Sequence, residues 1–77
     1  MSNFIDIGYG NKIATSKIVA IVTPEAAPIK RAVQDAKEAS KIIDATCGRK
    51  TRAVIFTDAH YIVLSALLPE TLSHRVC

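Results

Sequence analysis

The spacing of apolar positions along this chain changes several times, and each change predicts an element. Phe4-Ile5-Asp6-Ile7 alternates weakly and runs into Gly8-Tyr9-Gly10-Asn11, a turn signal, so a short strand and a tight reversal are expected. Lys17-Ile18-Val19-Ala20-Ile21-Val22 is rich in β-branched residues and stops at Thr23-Pro24, which predicts a second strand. From Pro28 the period lengthens. Ile29, Ala32, Val33, Ala36 and Ala39 recur every three or four positions, with Lys30, Arg31, Gln34, Asp35, Lys37, Glu38 and Lys41 mostly on the other side. This spacing predicts an amphipathic helix over 28–41, opened by a proline whose missing N–H is not needed in the first turn. Its inner face is mainly alanine and can lie close to a sheet. Ile42-Ile43-Asp44-Ala45-Thr46 reads as a short strand. Ala53–Thr57 and Tyr61–Leu67 bracket Asp58-Ala59-His60 and predict a β-hairpin. Pro69-Glu70 opens a short C-terminal helix with Leu72 and Val76 on its inner side.

The order ββαβββ with a final helix is that of an α+β domain: a small mixed or antiparallel sheet of about five short strands, one main helix and a short terminal one. The 77 residues suffice for one domain, residues 1–77, with no internal repeat or linker composition. A chain of this size buries only about 60–65% of its unfolded surface, so such scaffolds usually add disulfides, a metal or oligomerisation. Yet 49% of the residues are hydrophobic and the mean hydropathy is +0.24. So much apolar material exceeds one small interior, and a homo-oligomer is expected.

Charge adds a location. Ten Lys and Arg face seven Asp and Glu, a formal charge of +3 and a pI near 9.1. Acids and bases alternate along most of the chain, but residues 47–53 carry Arg49, Lys50 and Arg52 and no acid. Arginine offers a planar fork that pairs bidentately with phosphate or guanine, lysine a point charge, and Thr51 a hydroxyl for a phosphate oxygen. Gly48 permits a turn and a close approach to a partner. The same run also suits an exposed turn whose arginines only confer solubility. In extended backbone Lys50 and Arg52 would share a side, with Arg49 across from them.

Other chemistry finds little support. Cys47, His60, His74 and Cys77 are the only soft metal ligands, and they lack the paired close spacing of structural zinc sites. Seven dispersed carboxylates suggest no acid–base pair, and Cys47 has no evident base, so no catalytic residue or cofactor is expected. Gly8-Tyr9-Gly10 is not a dinucleotide fingerprint, because Ile13 stands at the third glycine position and a strand-like run follows. No apolar run approaches the roughly 20 residues of a membrane span, and no signal peptide is recognisable. A cytoplasmic protein with reduced thiols and no small-molecule substrate is expected.

Several segments together carry a family resemblance. Phe4 to Asn11, Ala27-Pro28-Ile29-Lys30-Arg31, Asp44-Ala45-Thr46, Gly48 to Ile55 and Pro69-Glu70-Thr71 resemble, in order and over nearly the whole chain, the RemA-like family of bacterial regulators. The resemblance implies a transcriptional regulator, an activator of extracellular-matrix (biofilm) genes, that binds double-stranded DNA as a ring-like homo-oligomer. It places the family's basic triplet on Arg49, Lys50 and Arg52, a further basic position on Lys17, and an assembly-linked proline on Pro28. Three positions depart from the family's pattern. Lys17 and Lys50 stand where arginine is expected, keeping the charge without the bidentate fork, and Cys47 stands where histidine is expected.

Two alternatives stay open at this point. One is a self-assembling scaffold whose basic loop meets an acidic protein. The other is RNA binding, against which stand only four aromatics, Phe4, Tyr9, Phe56 and Tyr61, none flanking the basic loop in sequence.

Overall fold

In the computed structural model, which describes residues 3–76, the chain forms six strands and two helices. The strands are β1 (Phe4–Gly8), β2 (Asn11–Ala14), β3 (Ile18–Val22), β4 (Ile42–Asp44), β5 (Ala53–Thr57) and β6 (Ile62–Ser65); the helices are α1 (Ala27–Glu38) and α2 (Pro69–Val76). The α+β class agrees with the expectation. The strand count and the single sheet do not, because Gly8-Tyr9-Gly10-Asn11 reverses the chain onto Asn11–Ala14 rather than onto the β-branched run at 18–22. β1 and β2 therefore form a two-stranded sheet of their own, and β3, β5, β6 and β4 form a four-stranded sheet in that order.

β5 runs antiparallel to both β3 and β6, and β4 is parallel to β6. Alternation along the two central strands sorts the core into two layers. Ala53 and Ile55 of β5 and Val63 of β6 face Ile5, Ile7 and Leu72, so the β1–β2 hairpin and α2 cover this side. Val54, Ile62 and Leu64 face Ala36, Ile29, Ala32 and Val33, so α1 covers the other. Both faces of β6 are buried, which explains its unbroken apolar run. Of the residues expected inside α2, Leu72 is fully buried but Val76 is exposed.

α1 stops three residues earlier than its apolar period predicts. Ser40 adopts φ 58°, the Lys41 N–H reaches the Ala36 carbonyl at 2.8 Å and the Ser40 N–H reaches that of Lys37 at 3.2 Å. This left-handed C-terminal cap is usually built with glycine, so serine hid it from the sequence. The β5–β6 hairpin is as expected, although its second strand is only Ile62–Ser65. His60, at φ 65°, closes its loop, and the Tyr61 carbonyl accepts from both the N–H and the hydroxyl of Thr57.

Candidate nucleic-acid interface

The basic stretch lies on the connection from β4 to β5. These strands are not neighbours, since β6 lies between them, so residues 45–52 must cross the end of β6. Two backbone bonds fasten the crossing. The Ala45 N–H donates to the Leu64 carbonyl at 2.9 Å, and the Arg52 N–H donates to the Ser65 carbonyl at 2.8 Å. Between these anchors the chain makes a tight turn. Cys47 and Gly48 sit at φ 53° and 80°, and the Arg49 N–H closes onto the Thr46 carbonyl at 3.0 Å. Positive φ at both central residues is the geometry of a type I′ turn, and Gly48 supplies one of them without a Cβ penalty.

Asp44 sets the start of the turn. Its carboxylate accepts from the Thr46 hydroxyl at 2.6 Å and from the Thr46 N–H at 2.9 Å. These bonds, led by the hydroxyl, hold the Asp44 carboxyl below its usual range, and Lys37 adds a smaller contribution in the same direction. Thr46 is buried beneath the turn, whereas Cys47, Gly48, Arg49, Lys50 and Arg52 are exposed. Thr51, between Lys50 and Arg52, is half-buried. Among the described residues, none of Arg49, Lys50 and Arg52 is ion-paired with a carboxylate.

A second type I′ turn stands beside the first. Tyr9 and Gly10, at φ 56° and 81°, link β1 to β2. The Asp6 carboxylate accepts from the Gly8 N–H at 2.7 Å, and the Asn11 amide donates to the Gly8 carbonyl at 3.1 Å. The guanidinium carbon of Arg49 lies 5.3 Å from the centroid of the Tyr9 ring, within cation–π range. The sequence reading missed this neighbour. Forty positions separate Tyr9 from Arg49 in the chain, and only the tertiary fold brings an aromatic ring to the basic turn.

Lys17 is elsewhere. Its ammonium lies 3.8 Å from the Asp58 carboxylate, both side chains largely exposed, and its carbonyl accepts from the Asp58 N–H at 3.0 Å. Arg52 precedes β5 and Asp58 follows it, so six extended steps put Lys17 roughly 20 Å from the basic turn within one chain. Pro28 is exposed in the first turn of α1, where it lines a shallow depression with Ala27 and Arg31. Among the described residues no three His, Cys, Asp or Glu side chains group as a metal site; Cys77 lies outside them. Among the described residues no helix is long and apolar enough to cross a membrane.

Fold and surface thus define a small α+β protein that carries three exposed cations, without ion-pair partners among the described residues, on one braced turn. The chain belongs to the RemA-like family, described as extracellular matrix regulatory protein A-like, which it matches over residues 4–76. It is 55% identical over 74 residues to a candidate regulatory protein of Halothermothrix orenii, covering 96% of this chain and 88% of that one. A candidate regulatory protein of Alkaliphilus metalliredigens is 60% identical over 72 residues, 94% of this chain and 77% of its own. One from Gloeothece citriformis strain PCC 7424 is 56% identical over 71 residues, 92% and 81% of the two chains. All three names are regulatory rather than enzymatic.

Proposed function

We propose that this protein is a cytoplasmic, DNA-binding transcriptional regulator, an activator of extracellular-matrix genes, that works as a ring-like homo-oligomer. The observation carrying this reading is the braced turn: three exposed cations, Arg49, Lys50 and Arg52, without ion-pair partners among the described residues, on backbone anchored at Asp44, Thr46 and Ser65. A fixed turn loses little conformational freedom on meeting a phosphate backbone, and most protein–DNA contacts are of that kind. Family membership supports the regulatory role and its extracellular-matrix target.

Assembly supplies what one turn lacks. Few phosphate contacts bind weakly at physiological salt, and several copies held in register gain by effective concentration, on the order of 100-fold where the geometry fits. The surface supports assembly: β3 and β4, the two edges of the larger sheet, each expose a large apolar side chain, Val19 at 67% and Ile43 at 49%. In this reading Pro28 packs between subunits, and Lys17 serves DNA as a second, separate phosphate contact. Arg49→Ala and Arg52→Ala should each weaken duplex binding in a mobility-shift assay while light scattering shows an unchanged assembly. Wild-type retention of DNA by both variants would contradict the assignment.

One observation favours a second reading. Tyr9 is 51% exposed beside Arg49, and its ring offers an aromatic surface on which an unpaired base of single-stranded RNA can stack. Competition between duplex DNA and single-stranded RNA separates the two.

A further inference from the structure

We infer that Tyr9 is a positioning residue for Arg49, presenting its guanidinium to duplex DNA in a preset orientation. This rests on the DNA-binding reading above and assigns its organisation to a second segment of the chain. Two independent observations carry it. The first is the contact itself, 5.3 Å from guanidinium to ring centroid. The second is the backbone at Tyr9, which sits at φ 56° in a turn position favoured by Asn, Asp or Gly. A bulky L-residue is disfavoured there, and such outliers persist where the side chain is needed. The Tyr9 turn is also braced from both flanks, by Asp6 on Gly8 and by Asn11 on the Gly8 carbonyl. The backbone that carries the ring is therefore held in place.

A free arginine loses rotamer freedom when it engages a phosphate or a guanine edge. Stacking on this ring removes much of that freedom beforehand and leaves the outer edge of the fork available. The ring is the working part, and the phenol hydroxyl is dispensable.

Tyr9→Asn tests this without endangering the fold, because asparagine is a preferred residue at this turn position. Thermal stability should be equal or higher, while duplex affinity falls roughly two- to five-fold per engaged subunit, the range of an exposed cation–π contact. Tyr9→Phe should bind like wild type. In an Arg49→Lys background, Tyr9→Asn should cost less than in wild type. The salt dependence of binding should not change, since no charge is lost. A second readout is independent of DNA: the Arg49 side-chain NMR signals should show a ring-current shift that Tyr9→Asn abolishes. Absence of that shift in wild type overturns the inference. So does full affinity in Tyr9→Asn where Arg49→Ala is weakened, an outcome that leaves the DNA reading standing. Failure of wild type itself to bind duplex overturns both.

Discussion

The Ser65 hydroxyl donates to the Ile7 carbonyl at 2.8 Å, joining residues 58 positions apart inside the core. The same oxygen accepts the Leu67 N–H at 3.1 Å, and the Ser65 carbonyl accepts the Arg52 N–H. One fully buried residue thus ties together the end of β6, the β1–β2 hairpin and the last residue of the basic turn. Ser65→Ala should destabilise the fold by about 1–3 kcal/mol, because it orphans a buried carbonyl. Thermal or urea unfolding at one fixed protein concentration measures this, since assembly makes midpoints concentration-dependent.

Asp44 gives the turn a pH dependence of known sign. Its folded pKa lies below the ordinary aspartate value because the Thr46 hydroxyl and N–H both donate to the carboxylate. The contribution is therefore fully present above pH 4 and is lost as pH falls through the folded value. Asp44→Asn should cost roughly 0.5–1 kcal/mol at pH 7 once exposure is discounted. The gap between variant and wild type in urea unfolding should close as the pH is lowered through the folded value. A gap that stays constant with pH would show that the charge on Asp44 does not brace the turn.

Lys17 and Asp58 form an exposed pair, worth little to stability, so Lys17→Ala should shift unfolding by less than about 0.5 kcal/mol. The partner matters more for binding. Asp58→Asn releases the Lys17 ammonium and removes an anion from its surroundings. If Lys17 contacts phosphate, Asp58→Asn should tighten duplex binding at low salt, and the gain should vanish in a Lys17→Ala background. Unchanged binding in Asp58→Asn would remove Lys17 from the interface.

Much of this was legible in the sequence because period and composition are local signals. Ile29, Ala32, Val33 and Ala36 do face the sheet, β5 and β6 do pair, and Pro69 does open α2. The residues around the basic turn were legible as charge but not as geometry. Asn11–Ala14 contains only Ile13 and Ala14 as apolar residues, too short a run to announce a strand, so the hairpin it forms and the place of Tyr9 were hidden. The bracing bonds to Leu64 and Ser65 depend on β6 lying between β4 and β5, an order that no local pattern encodes.

If Pro28 packs between subunits as proposed, a substitution there separates folding from assembly. It is exposed at the start of α1, where a carboxylate interacts favourably with the helix N-terminus. Pro28→Glu should therefore keep the monomer fold by circular dichroism while sedimentation velocity shows a smaller particle. A full-sized assembly would place the subunit interface away from α1.

The central claim is that Arg49 and Arg52 neutralise DNA phosphates, and the salt dependence of duplex affinity tests it most directly. Fluorescence anisotropy between about 50 and 200 mM salt gives the slope of log affinity against log salt, which reports the phosphates neutralised at about 0.9 each. The account predicts a steep negative slope for wild type that becomes shallower by about 0.9 per engaged subunit in either Arg49→Ala or Arg52→Ala. A flat wild-type slope, or a steep one that neither substitution changes, would contradict it.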